Sequence, residues 1–249
     1  MSSAKAIIIG ASSQLSQQIA IELSKQGTEL ALLVQEPAVI EDFAFQLKTN
    51  VHIFPLNILQ PKSIIDQLNH VWNELEGVDL IIINTGVNSY DPELPWDPEQ
   101  SIIDVNVQGF AALCNTAFKL FKIQGYGQLA AINSIAGLRG GANVAYHASK
   151  AFAQNYLEGL SMHAQRLKLP ITITDLQLGL LDKAALQGRK FWLAPLPKVA
   201  KQIVHALAKG KRRVYVTKRW MVIAWITKLL PEFIYNTRRW KETKKTTSA

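Results

Sequence analysis

Residues 5–16 read KAIIIGASSQLS: an apolar run, a glycine, and then small and polar residues before the helical period that we read from Gln17. An apolar strand that turns through a glycine into a helix is typical of the first unit of a parallel α/β sheet. Backbone N–H groups at such a helix N-terminus can hold a phosphate. A dinucleotide-binding turn has three glycines, whereas here Gln14 and Ser16 follow Gly10. The placement therefore indicates a dinucleotide site with an altered glycine pattern.

The alternation of short apolar runs and helical periods continues along the chain. Strands are expected near residues 5–9, 29–34, 51–54, 78–83, 128–133, 171–176 and 213–217. Because these runs are apolar on both faces, they predict a sheet that is covered by helices on each side. Right-handed crossovers then give a doubly wound, mostly parallel, seven-stranded sheet of the Rossmann type in a single α/β domain. Ligands of such a sheet bind at the carboxyl ends of its strands.

Composition excludes several classes of protein. Of the 249 residues, 48% are hydrophobic and 18% are charged, a composition too apolar for a disordered chain. A chain of this length can also bury enough apolar surface to form a core without disulfides or bound metal. Cys114 is the only cysteine and lies in an apolar run, so we expect a buried thiol and no disulfide scaffold. The N-terminal apolar run is shorter than a secretory signal requires. We therefore expect a cytoplasmic protein in a reducing compartment.

A serine, a tyrosine and a lysine carry the chemistry that the sequence suggests. Ser134 ends a predicted strand, and Tyr146 opens a long predicted helix four residues before Lys150. The spacing of four places both side chains on one helix face. A free tyrosine has a pKa of about 10, and a nearby ammonium stabilises its phenolate and lowers that pKa. The pair therefore predicts a tyrosine that transfers a proton.

With these motifs the sequence resembles the short-chain dehydrogenase/reductase family over almost its whole length. The resemblance implies a Rossmann-type fold and a catalytic set in which Tyr146 is the acid/base, Ser134 positions the substrate oxygen, and Lys150 lowers the tyrosine pKa and holds the nicotinamide ribose. Within the segment DVNVQG, Asn106 matches the asparagine that organises a proton-relay water. The resemblance also implies that the protein is an NAD(P)-dependent oxidoreductase. It further implies a homodimer or homotetramer that is formed through the helices bearing Asn106 and Tyr146.

The resemblance also implies a set of residues that bind the coenzyme, most of them at strand ends. These are Gly10, Ser12, Ser13, Gln14, Leu15, Gln35, Asn57, Ile58, Asn84, Gly86, Tyr146, Lys150, Gly179 and Leu181. The second strand ends in Val34-Gln35-Glu36, without the early acidic residue typical of NAD sites or the arginine typical of NADP sites. Reductases of the family commonly use NADP, so we expect NADP, with NAD as the alternative.

Three loops are expected over the coenzyme and should select the substrate. They are residues 87–99, 135–145 and 180–197. The third carries Phe191 and Trp192 beside Arg189 and Lys190, which suits an apolar or lipid-like ketone with a polar or anionic end, although the loop could equally be a lid packed on its own protein. His147 follows Tyr146 but points about 100° away from it around the helix, so we expect it to line the site rather than to take part in catalysis. The other histidines show no metal-ligand spacing.

The C-terminal part of the chain is strongly basic. Residues 209–249 hold twelve lysines and arginines against two glutamates, and they include Trp220, Trp225 and Trp240. This composition divides the chain into a Rossmann-type domain, 1–217, and a basic extension, 218–249. The apolar run 220–226 is shorter than the roughly 20 residues of a membrane span.

Two interpretations of the extension stay open. Residues 218–241 could contact an anionic membrane surface from its inner face, or they could form a helix docked on the protein or across a subunit interface. Nucleic acid is not expected as a partner, because the cations are interleaved with a long aliphatic run and accompany no nucleic-acid motif. A rival interpretation of the whole chain is a noncatalytic dinucleotide sensor or membrane-associated scaffold, suggested by Gln14, Ser16, Asn57 and the pair Val34-Gln35.

Overall fold

The computed structural model of the protein describes residues 4–179 and 194–235. Leu181, which was predicted to bind the coenzyme, and most of the predicted loop 180–197 lie outside these ranges. Within them the strands are β1 (Lys5–Ile9), β2 (Glu29–Val34), β3 (Val51–Pro55), β4 (Leu80–Ile83), β5 (Gly127–Ser134), β6 (Ile171–Leu178) and β7 (Arg213–Val216).

Helices connect these strands. They are α1 (Gln14–Ser24), α2 (Glu41–Ala44), α3 (Pro61–Glu74), α4 (Trp96–Ile103), α5 (Phe110–Gln124), α6 (Val144–Arg166), α7 (Leu196–Ala208), α8 (Lys218–Leu229) and α9 (Glu232–Tyr235). A π-helical turn, Asp104–Gly109, joins α4 to α5, and short 3-10 turns cover Pro37–Ile40 and Ile135–Leu138.

The described strands form one parallel sheet in the order β3-β2-β1-β4-β5-β6-β7. β1 pairs with β2 on one side and with β4 on the other, so that Ile9 lies opposite both Leu33 and Ile83. The winding direction reverses between β1 and β4, and such a reversal opens a crevice at the carboxyl ends of the strands. The predicted doubly wound α/β fold is confirmed.

Both faces of the sheet are covered, which explains the apolar runs. Neighbouring residues of one strand point to opposite faces. Ile7 of β1 packs in the core beneath α3 and α5, whereas Ile8 packs in the core beneath α1 and α7. Cys114 is buried in the first of these cores, as predicted.

The starts of α1 and α4 differ from the sequence prediction. α1 begins at Gln14 rather than Gln17, because the Ser13 hydroxyl caps it by accepting a hydrogen bond from the Ser16 N–H. Part of the predicted loop 87–99 is helical, since α4 begins at Trp96. Its first turn carries Asp97 and Glu99, which the partial positive charge of a helix N-terminus favours.

The extension continues the fold beyond β7. α8 contacts β7 and the 3-10 turn Ile135–Leu138. Among the described helices, none is both long and apolar enough to cross a bilayer. The division of the chain at residue 217 stays a prediction.

Candidate active site

A cavity of about 1100 Å³ opens at the carboxyl ends of β4, β5 and β6. It extends from the first turn of α1 to the inner side of α8. Nine of the residues that the sequence assigned to the site line it: Ser13, Gln14, Leu15, Asn84, Gly86, Ser134, Tyr146, Lys150 and Gly179. The crevice that the topology requires is therefore present and carries the predicted residues.

The turn between β1 and α1 is held by hydrogen bonds that replace the missing glycine pattern. Asn84 follows β4, and its Nδ2 donates to the hydroxyls of Ser13 and Ser16, each at 2.8 Å. Ser16 is fully buried. Gly10 has φ of +79°, and a Cβ there would overlap the Asn84 carbonyl. Ser16 thus joins α1 to β4, a contact that glycine at this position could not make.

Gln14 stands where the family has a glycine that allows close approach of the phosphates. Its side chain is exposed at the first turn of α1 and forms part of the cavity wall. The crevice remains open beside it, since Ser13, Leu15 and Gly86 also line the cavity. Gln14 does not close the predicted coenzyme site.

The hydroxyls of Ser134 and Tyr146 meet in the cavity. Ser134 is the last residue of β5, where its Oγ accepts a hydrogen bond from the Ala136 N–H at 3.1 Å. Burial raises the pKa of Tyr146 above its ordinary value, and a side-chain hydrogen bond with Ser134 opposes this rise only in part. The pKa of Tyr146 is thus raised and not lowered as predicted from Lys150, whose ammonium lies 5.7 Å from the Tyr146 ring centroid.

Lys150 lies behind the tyrosine, between α6 and the end of β4. The residue is largely buried. A Cβ built on Gly86 would lie 3.2 Å from both Lys150 Nζ and Asn106 Oδ1, so the absence of a side chain at Gly86 leaves room for these two groups. The lysine and the asparagine therefore face the same narrow space beside the cavity.

Asn106 is held in the π-helical turn by the loop after β4. Its Oδ1 accepts from the Val87 N–H at 2.8 Å, and its Nδ2 donates to the Val87 carbonyl at 2.9 Å and to Ser149 Oγ at 3.1 Å. Ser149 in turn donates to the Tyr146 carbonyl at 2.8 Å. The sequence interpretation missed Val87, which acts only through its backbone, and Ser149, whose position next to Lys150 was the available signal.

The remaining predicted coenzyme residues lie outside the walls of this cavity. Gly10 and Ser12 belong to the turn after β1, Gln35 follows β2, and Asn57 and Ile58 follow β3. Because β1, β2 and β3 are neighbours, these residues share one edge of the crevice. Asn57 uses its side-chain oxygen to accept from the Leu59 N–H at 3.0 Å.

The opposite end of the cavity carries both aliphatic and polar side chains. Its walls are formed by Leu138, Arg139, His147, Leu178, Leu196, Ile223, Thr227 and Tyr235. His147 forms wall, as predicted, and its Nδ1–H donates to the Arg139 carbonyl at 2.9 Å. Sequence interpretation missed Ile223, Thr227 and Tyr235, because the residues around them were assigned to an extension rather than to the site.

Comparison with known proteins agrees with this geometry. Residues 4–191 match the model of the short chain dehydrogenase family. An uncharacterized oxidoreductase of Myxococcus xanthus is 29% identical over 178 residues, which cover 69% of this chain and 70% of that protein. An uncharacterized oxidoreductase of Mycobacterium tuberculosis is 26% identical over 188 residues, 72% of this chain and 73% of that protein.

Solved structures share the fold. A short-chain type dehydrogenase/reductase from Mycobacterium marinum superposes with a TM-score of 0.77 at 18% identity, covering 86% of this chain and 94% of that chain. A short-chain dehydrogenase from Streptomyces avermitilis gives a TM-score of 0.76 at 18% identity, over 96% of this chain and its own entire length. The parallel sheet, the matched residues and the oxidoreductase relatives lead to one conclusion: the chain belongs to the short-chain dehydrogenase family, whose members are oxidoreductases that use NAD or NADP.

Proposed function

We propose that the protein transfers a hydride between a nicotinamide coenzyme and a carbonyl or secondary alcohol. The observation that carries the proposal is that Ser134, Tyr146 and Lys150 line one open cavity, with Asn106 beside the lysine. Two converging hydroxyls can bind one substrate oxygen, and one of them can supply its proton. The reduction of an apolar or lipid-like ketone fits the walls at the far end of the cavity.

The residues around the crevice fit a dinucleotide. Ser12, Ser13, Gln14 and Leu15 place backbone N–H groups at the N-terminus of α1, where the pyrophosphate would bind. On one side Gln35, Asn57 and Ile58 would contact the adenosine. On the other side the nicotinamide ribose and ring would be held by Asn84, Gly86, Tyr146, Lys150, Gly179 and Leu181. When bound, the coenzyme supplies or accepts the hydride.

The chain itself handles the substrate oxygen and its proton. Ser134 donates a hydrogen bond that orients the carbonyl. As the carbon receives the hydride, Tyr146 Oη gives its proton to the developing alkoxide, so an alcohol and a phenolate are formed. The Lys150 ammonium then stabilises the phenolate until a proton from solvent restores it. Asn106 positions the Val87 backbone and Ser149, which keeps the lysine side of the site in place.

The coenzyme that we propose is NADP, with NAD as the alternative. Gln35 is exposed directly after β2, where the ribose 2′ position of a bound coenzyme would lie, and its amide could donate to a phosphate or to a hydroxyl. Glu36 is also exposed but lies one residue further along. Titration of the protein with both reduced coenzymes distinguishes the two.

Coenzyme binding should raise the thermal stability of the protein. A ligand at 100 times its Kd stabilises the folded state by about 2.7 kcal/mol, which for a chain of this size raises Tm by roughly 5–10 °C. We expect this shift with NADPH, and a smaller one at equal concentration of NADH. Absence of a shift with both coenzymes would contradict the proposed function. A shift without turnover of any ketone in a broad panel would favour the noncatalytic sensor instead.

We also propose a homodimer or homotetramer formed through α6, which bears Tyr146, and through α4 with the π-helical turn that bears Asn106. Trp96, Ile103 and Val144 are exposed there, and Phe152 lines the same apolar hollow of about 500 Å³. A second copy of the chain would cover this surface, as in family members that pair through these helices. We further propose that the protein is cytoplasmic and that residues 218–241 contact the inner face of a membrane. Cell fractionation tests this location.

The oligomer should be measurable in solution. Light scattering is expected to give a multiple of the 27.7 kDa chain mass. Trp96→Glu should reduce that mass to the monomer, because it places a charge inside the proposed interface. Val39→Glu changes an exposed apolar residue near β2 and should leave the mass unchanged. A monomeric wild-type protein would contradict the proposal.

A further inference from the structure

α8 is apolar on two opposite sides. On the inner side Trp220 and Ala224 are buried, and the Trp220 indole packs on Gly179 so closely that a Cβ there would overlap it. Ile223 and Thr227 of the same side line the active-site cavity. The inner side of α8 is thus part of the protein body and of the site.

The outer side of α8 is apolar but exposed. Val222, Trp225 and Leu229 follow one another at steps of three and four residues, so they lie in one line along the helix. Trp225 is 62% exposed and Leu229 is 72% exposed. Phe233 continues the apolar surface beyond the helix and is equally exposed. A helix that is apolar all round is normally buried, so this face calls for a partner.

We propose that the outer face of α8 docks on the surface of an anionic lipid bilayer. Lys218 and Lys228 are exposed at the margins of the apolar line, and a tryptophan lies within it. Cations around tryptophan and aliphatic residues suit the headgroup region, where the rings enter the acyl boundary and the ammonium groups meet anionic lipid. This proposal extends the location proposed above and does not depend on the reaction.

Charge favours a bilayer over a second copy of the chain. In a symmetric dimer through this face, Lys218 and Lys228 of one protomer would approach the same lysines of the other. α8 carries Lys218, Arg219 and Lys228 and no carboxylate, so like charge would accumulate at such a contact. An anionic lipid surface complements both the cations and the apolar line.

Side-chain contacts hold α8 firmly enough to act as a docking element. Arg139 Nη1 donates to the Leu230 carbonyl at 2.8 Å, and the Arg139 guanidinium lies 4.7 Å over the Tyr235 ring. The Tyr235 hydroxyl donates to the Gly140 carbonyl at 2.6 Å. With α8 so attached, docking would place the active-site cavity about one helix diameter, ~10 Å, from the lipid surface. Ile223 and Thr227 would then form the wall between membrane and site.

Flotation of the full-length protein with vesicles tests the proposal. The vesicles consist of phosphatidylcholine alone or of phosphatidylcholine with phosphatidylglycerol, at low salt. Wild-type protein is expected to float with the anionic vesicles only. Trp225→Glu should lower the partition coefficient about tenfold or more, because it replaces an interfacial ring by an anion. Phe45→Glu is the matched control, because Phe45, the C-cap of α2, is even more exposed than Trp225 but lies on another element, so the change should affect flotation little.

Each other result would overturn the proposal. Wild-type protein that stays unbound shows that the face does not recognise lipid. Equal flotation of wild type and Trp225→Glu shows that lipid contact lies elsewhere. Light scattering without vesicles gives the remaining check. A particle mass lower for Trp225→Glu than for the wild type would show that a second copy of the chain covers α8. The coenzyme-induced Tm shift, measured on the same samples, establishes that the variants are folded and separates this result from the proposed reaction.

Discussion

Tyr146→Phe is expected to lower ketone reduction by about 10²–10⁴-fold, because it removes the group that protonates the substrate oxygen. The ring stays in place, so packing against His147 is retained. Loss of one hydrogen bond to Ser134 should cost only about 1 kcal/mol of folding free energy. Turnover is followed by the absorbance of NADPH with a panel of apolar ketones, and coenzyme binding by the Tm shift, which should remain.

Tyr156→Phe is the matched control for this variant. Tyr156 lies on the same helix, α6, and its hydroxyl is 3.5 Å from the Ala111 carbonyl rather than in the cavity. It should keep wild-type turnover. Full activity of Tyr146→Phe would remove the proposed role of the phenol.

The pH dependence of the wild type gives a second readout of the same residue. Burial raises the pKa of Tyr146, so the neutral phenol persists through neutral and mildly alkaline pH. Ketone reduction needs the neutral phenol of Tyr146, so its rate should decline only at high pH. Alcohol oxidation needs the phenolate and should rise about tenfold per pH unit below the pKa. Tyr146→Phe should lose both trends.

Gly10→Ala is expected to destabilise the fold by about 3 kcal/mol or more, through backbone strain and steric overlap together. Gly10 has φ of +79°, and its added Cβ would overlap the Asn84 carbonyl. Relief of that overlap would move the end of β4 away from α1 and disturb the hydrogen bonds of Asn84 to Ser13 and Ser16. Coenzyme binding should therefore weaken as well. Chemical denaturation and the coenzyme titration measure the two effects.

Gly27→Ala separates the cost of backbone strain at positive φ from the cost of steric overlap, which only Gly10→Ala adds. Gly27 has nearly the same dihedral, φ of +80°, but a Cβ there meets nothing within 4 Å. Only the cost of a left-handed residue remains, about 1–2 kcal/mol. If Gly10→Ala were no more destabilising than Gly27→Ala, the turn after β1 would have to relax without loss, and its role as a rigid part of the coenzyme site would be wrong.

The strands could be predicted from the sequence because they lie in a sheet that is covered on both faces. A parallel strand that is covered on both faces is apolar at each position, and the seven expected runs all correspond to strands, with boundaries that differ by at most two residues. The pair Tyr146 and Lys150 was also accessible, since a spacing of four along one helix determines that both residues share a face. Ser134 was identified by its position at a strand end.

Polar contacts between distant elements were not predictable. Asp175 lies in the middle of β6, where Gln177 Nε2 donates to both of its oxygens at 2.9 and 2.7 Å, and Arg213 Nε approaches at 3.3 Å. Burial raises the pKa of Asp175, and these partners oppose the rise. The bonds of Asn84 to the α1 turn are of the same kind. They join residues far apart in the chain, for which no local periodicity exists.

The sequence by itself determined where the strands lie along the chain, the family, and the shared helix face of Tyr146 and Lys150, because local periodicity and short spacings encode them. The tertiary structure alone decided that Ser16 replaces a glycine by bonding to Asn84, that burial outweighs the Ser134 hydrogen bond in setting the Tyr146 pKa, and that α8 is a wall of the site. These features depend on distances between separate elements and on the exclusion of water, which exist only once the chain has packed.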